Sequence, residues 1–186
     1  MMNKQNQNIG KGGTGYQAGD SIHIYNVLKN PSILADVVNA IAKIDLDDES
    51  LYGQLKEAPI IEDKIEHNNI QSYRYLINDY QLYQKTLEKI YKTLDQEQPN
   101  RKNNLLRVIS DYYKKEKGAL TTNTNDIETI RDNADTIIEK IISKLENEIL
   151  RSSNLQSANE DVTTAISIII ADAFIRCKIL EDPNEL

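Results

Sequence analysis

Tyr73-Arg-Tyr-Leu-Ile-Asn-Asp-Tyr-Gln-Leu-Tyr-Gln-Lys-Thr-Leu-Glu-Lys-Ile-Tyr-Lys-Thr-Leu94 is the stretch that decides the fold class. Tyr73, Leu76, Tyr80, Tyr83, Leu87, Ile90 and Leu94 recur at alternating steps of three and four. A repeat of 3.5 residues sustained over three heptads predicts one long helix that packs through a narrow seam. Asn68 or Asn69 can cap its start, and Pro99 follows its end. The seam suits either an intramolecular hairpin with Ile127–Ile149 or a dimeric coiled coil. The matching apolar length of that second segment favours the hairpin.

Outward from this helix the same period continues. Leu105, Leu106, Val108, Ile109, Tyr112 and Tyr113 give a second helix from about Asn103 to Lys117, with Gly118 as its terminating residue. Ile127, Ile130, Ala134, Ile137, Ile138, Ile141, Leu145 and Ile149 define a third. Val162 to Leu180 is apolar on nearly all sides and is therefore expected at the centre, with Pro183 as its stop. Upstream, Pro31 behind Asn30 opens a helix through Ile33, Leu34, Val37, Val38 and Ile41, and Ser50 caps a short helix over Leu51–Glu57 that Pro59 ends. The expected fold is mainly α, an antiparallel helical bundle with a short N-terminal glycine-rich and β-strand segment.

That segment stands apart. Five of the seven glycines lie in the first 19 of 186 residues, and glycine costs close to 1 kcal/mol per helical position relative to alanine. Ile22 and Ile24 alternate with polar neighbours through Ser21–Asn26, the period of a short strand. A lone strand is unstable in water, so it must pair with a hairpin partner around Gly15–Gln17 or with another chain. The chain thus divides into residues 1–26, a glycine-rich segment with a short strand, residues 27–57, one or two short helices and an acidic loop, and residues 58–186, the helical bundle.

Composition excludes several classes. The net charge of −7 argues against a general polyanion binder. Charge is uneven: residues 44–66 are net −6 and residues 101–117 net +4. The expectation is that these faces meet, within the protein or across an interface. A single cysteine, Cys177, rules out a disulfide framework within the chain and suits a reducing cytoplasm. The longest apolar run, Ala165–Ile175, contains Asp172 and falls short of the roughly 20 residues a bilayer requires.

No catalytic constellation emerges. Glu62 and Glu66 share a helical face, but His67 lies about 100° further round, so the three make a poor metal site. Cys177 reads as a buried structural thiol, since Arg176 and Lys178 at i±1 point elsewhere. Gly10-Lys-Gly-Gly-Thr-Gly15 lacks the strand, lysine position and following helix of a phosphate loop. Asp172 and Arg176 form an i,i+4 pair in the most apolar helix, read as an internal ion pair or as a polar contact to a partner. Arg101, Lys102, Arg107, Lys114, Lys115 and Lys117 beside Tyr112 and Tyr113 have the residue types of a nucleic-acid surface, but the tyrosine spacing fits the seam.

Ile61-Glu-Asp-Lys-Ile-Glu-His-Asn-Asn-Ile70, leading into Tyr73, Asp79-Tyr80 and Lys89-Ile-Tyr91, resembles the opening of a helical C-terminal domain of bacterial ABC three-component (Lamassu-like) systems. Leu105-Leu-Arg107, Ile130-Arg-Asp-Asn-Ala-Asp135 and Asp172-Ala-Phe-Ile-Arg-Cys-Lys-Ile-Leu-Glu181 continue the resemblance across residues 58–183. It implies a domain that couples an effector module to an SMC-like ABC ATPase and a small middle component in anti-phage defence. Gly10–Asn26 separately resembles glycine-rich segments on other bacterial conflict proteins, some of which form β-solenoid signalling motifs.

Together these readings predict a cytoplasmic, non-enzymatic adaptor without cofactor or metal. Ile22, Ile24, Tyr25, Glu62, Glu66, Asn68, Asn69, Asp172 and Arg176 are its candidate partner-binding residues. Its expected partners are other protein subunits, among them an SMC-like ABC ATPase and an effector, with self-association through the N-terminal strand and no membrane. The alternatives are a self-assembling signalling module nucleated by that strand and a nucleic-acid-binding protein using residues 101–117.

Overall fold

The computed structural model describes residues 29–54, 56–120 and 127–184. The glycine-rich segment, the expected strand Ser21–Asn26 and the connection 121–126 lie outside them. Among the described residues the chain forms eight α-helices: α1 (Ile33–Ile41), α2 (Ala58–His67), α3 (Arg74–Tyr80), α4 (Gln84–Glu97), α5 (Arg101–Leu120), α6 (Ile127–Asp132), α7 (Ala134–Leu150) and α8 (Asn159–Ile175). The fold is mainly α, as the periodicity predicts.

α8 is the hub. From Ile168 to Ile175 every side chain is buried, including Asp172. A helix apolar all round has to be covered on all sides, and α1, α3, α4 and α7 supply that cover. The 73–94 seam packs mainly on α8 and α5, not on the 127–149 segment as the matched lengths suggest.

The long helices are broken, each for a visible reason. Between α3 and α4 the backbone tightens into a 3-10 turn at Gln81–Tyr83. There Gly53 N–H donates to Leu82 O at 2.6 Å, and Lys85 N–H donates to Gly53 O at 2.9 Å. A loop remote in sequence has inserted its peptide group into the i→i−4 ladder, a recognised cause of kinks. A Cβ on Gly53 would lie 2.4 Å from Lys85 Cδ, so the close approach uses the missing side chain. Asn133 separates α6 from α7, its amide donating to Thr129 O at 2.8 Å in competition with the helix backbone.

Helix ends differ from their sequence signals. Ser32, not Asn30, caps α1, accepting from Leu34 N–H. A 3-10 turn at Glu49–Leu51, capped by Asp48, replaces the short helix expected after Ser50. Pro59 lies in the first turn of α2 and begins a helix instead of ending one. Asn68 and Asn69 close α2: Asn69 has φ 54° and Ile70 N–H reaches back to Ile65 O. α5 continues through Gly118 to Leu120. α8 stops at Ile175, well before Pro183, because Cys177 turns left-handed at φ 56° and Lys178 N–H bonds Ala173 O at 2.8 Å.

Candidate functional site

Two of the clusters of polar groups among the described residues centre on α8. In the first, Asp172 is 1% exposed. Arg176, one turn on, donates from Nε to both Asp172 carboxylate oxygens at 2.8 and 2.9 Å. Arg176 Nη2 also reaches Glu88 of α4 at 2.8 Å. Glu88 accepts from Lys102 of α5 at 2.7 Å. Tyr91, fully buried on α4, donates its hydroxyl to Asp172 at 3.2 Å, and both cations lie within 6 Å of its ring. The result is a charged strut from α8 through α4 to α5.

Its electrostatics follow from burial against pairing. Burial pushes the Asp172 carboxyl up, and Arg176 and Tyr91 only partly oppose it. For Glu88 burial acts the same way, but Lys102 and Arg176 together outweigh it and hold the carboxyl below its ordinary value. Burial raises the Tyr91 hydroxyl, and Asp172 beside it raises it further.

The second cluster clasps the C-terminal tail. Lys64 of α2 is 4% exposed. Its ammonium donates to Phe174 O at 2.5 Å and Ile179 O at 3.3 Å, 4.4 Å from the Phe174 ring centroid. A cation thus meets carbonyl oxygens at and just beyond the C-terminal end of α8, where the helix dipole is negative. Burial lowers its pKa, with Cys177 and Asp182 opposing. Asn68, wholly buried, donates to Lys64 O and Glu181 O and accepts from Glu181 N–H. The Glu181 carboxylate in turn takes Tyr113 and Lys117 of α5.

The nine candidate docking residues divide sharply. Ile22, Ile24 and Tyr25 lie outside the described residues. Asn68 and Asp172 are inaccessible, and Arg176 is committed to Asp172 and Glu88. In this structure their polar groups bond to other parts of the fold. Glu62, Glu66 and Asn69 reach the surface on one end of α2, with Arg74 paired to Glu62 and 3.9 Å from Glu66. Among the described residues no group of three or more His, Cys, Asp or Glu side chains is placed to hold a metal ion. Cys177 is half-buried, donating to Asp182 at 2.9 Å, with Lys56 Nζ 3.6 Å from its sulfur.

Among the described residues, the ion pairs of the basic 101–117 segment run to acids other than those of the 44–66 stretch. Arg101 pairs with Asp36 and Glu97, Lys102 with Glu88, Lys114 with Asp111 and Lys117 with Glu181. Tyr113 is buried, and Tyr112 binds Glu148 through its hydroxyl with Lys144 Nζ 5.4 Å from its ring centroid. Glu116, also missed by sequence reasoning, joins α5 to Lys140 and Lys144 of α7.

These features define an all-helical domain whose interior charges tie helices to one another. A family model described as C-terminal domain 10 of the ABC-three component (ABC-3C) systems matches residues 32–181. The chain belongs to that family. The match takes in α1, upstream of the 58–183 span of the sequence-level resemblance. No curated protein and no solved structure matches the chain. No helix among the described residues is long and apolar enough to cross a membrane.

Proposed function

We propose that this chain is a non-catalytic docking subunit of an anti-phage ABC-three component system, and that it engages the ABC ATPase or its associated effector. The single observation that carries the reading is family membership across residues 32–181. The disposition of charge supports it. Asp172, Arg176, Glu88, Lys102 and Lys64 are all engaged in holding helices together, which is what a rigid docking body requires. Glu62, Glu66 and Asn69 form the α2 end of the docking face, and Ile22, Ile24 and Tyr25 supply a strand for a partner's sheet edge. The internal pairing of Arg101, Lys102, Lys114 and Lys117 weighs against the nucleic-acid alternative.

Affinity capture of the full chain co-expressed with the ABC ATPase of the same system tests this. Glu62→Gln with Glu66→Gln should abolish capture while the melting temperature moves little, since only the partly exposed pairing with Arg74 is lost. Capture that survives this double substitution, or turnover of nucleotide, peptide or nucleic acid by the purified chain alone, would overturn it.

A further inference from the structure

A groove of about 520 Å³ runs between the entry to α1, the start of α5 and the end of α7. Its apolar walls come from Ile33, Leu105 and Val108, and Glu148 and Arg151 stand at its rim. Val108 is 36% and Leu150, next to Arg151, 51% exposed; they are two of the five large apolar side chains left exposed among the described residues. The volume falls in the range of pockets that bury side-chain-sized apolar groups.

The chain itself arrives at this lip. Lys29 Nζ donates to Leu150 O at 3.4 Å, Ser153 N–H to Asn30 O at 3.1 Å, and Ser32 N–H to Asn154 Oδ1 at 2.9 Å. Residues 29–32 are thereby pinned against the end of α7, and Asn30 and Pro31 line the groove. Residue 28 is bonded to Lys29 at that lip. We propose that the groove is the resting seat of residues 22–28 of the same chain. In an extended conformation Ile22, Ile24 and Leu28 would share one face. Ile24 lies six residues before Asn30, a reach of about 20 Å at roughly 3.3 Å per residue.

A segment held in cis needs little intrinsic affinity, because a short tether supplies a high effective concentration. The seat does not depend on the docking reading. Its consequence does: a partner that takes Ile22 and Ile24 as an added strand must first withdraw them, so the groove sets a threshold for engagement.

Cross-linking of the full chain decides it. In a Cys177→Ser background, Ile24→Cys is paired with Val108→Cys and, as a control, with Tyr75→Cys on α3, which is 62% exposed and outside the groove. Mild oxidation should give a monomeric disulfide with Val108→Cys whose yield is unchanged on dilution and roughly tenfold above the control. Equal yields at the two positions, dimers that vanish on dilution, or no cross-link would overturn the proposal. A cross-link without partner capture would sink the docking reading and leave the seat intact. Capture without a cross-link would do the reverse.

Discussion

Asp172→Ala should cost about 3 kcal/mol, near the lower end of what breaking a buried ion pair costs. The change removes the acceptor of both Arg176 Nε contacts and of the Tyr91 hydroxyl. Tyr91 is fully buried, and an orphaned buried donor costs about 1–3 kcal/mol. Arg176 is less exposed to loss: it keeps Glu88 at 2.8 Å, and 18% of its side chain remains exposed to water. With a urea slope of about 2 kcal/mol/M, the midpoint followed by circular dichroism should fall by about 1.5 M. Tyr91→Phe removes the orphaned donor, so in that background Asp172→Ala should cost about 1 kcal/mol less. Replacing the pair together in the Tyr91→Phe background, as Asp172→Leu with Arg176→Met, should return stability to within about 1 kcal/mol of that background. A loss below about 1 kcal/mol for Asp172→Ala, or a double substitution as damaging as the single one, would refute the strut.

Asn68→Ala should cost about 3 kcal/mol from its three hydrogen bonds, one buried and two part-buried, and carboxypeptidase should trim the tail beyond Ile179 well before the helical body melts. Gly118→Ala should stabilise by about 0.5–1 kcal/mol, since the site is helical and a Cβ would meet nothing within 4 Å; a thermal melt reads the sign. On acidification, the Glu88 and Glu181 carboxyls are pushed up by burial but pulled lower still by their lysine and arginine or tyrosine partners, and both end below 4.5. Their contribution is therefore complete above that value and is lost as pH falls through their folded values. Urea midpoints measured downward from pH 5 should decline, and more shallowly in Glu88→Gln.

The apolar period was sufficient for the helices and for the central place of α8, because burial on all sides leaves a continuous apolar run. It was insufficient where a distant peptide group intervenes. Nothing in residues 73–94 announces that Gly53 will enter the ladder at Leu82 and Lys85, so the seam reads as one helix. Lys64 was hidden by its acidic neighbours, although Ile61, Lys64, Ile65 and Asn68 follow the i, i+3, i+4, i+7 spacing of a buried face. Tyr91 sits one position after the seam residue Ile90, four after Leu87 and three before Leu94, a helical spacing that the 3.5-residue frame passes over. The Asp172–Arg176 pair was legible from its spacing, but its extension to Glu88 and Lys102 depends on which helices become neighbours. Gly118 misled because a glycine near a helix end ordinarily takes the left-handed position, whereas here the last turn simply continues.

Carboxylate footprinting of the full chain with and without the ABC ATPase of its system tests docking most directly. The account predicts that Glu66, with 67% of its side chain exposed, and Glu62 become protected in the complex, while Glu160 in the first turn of α8 labels equally in both states. Unchanged labelling of Glu62 and Glu66 in a complex that forms would contradict it.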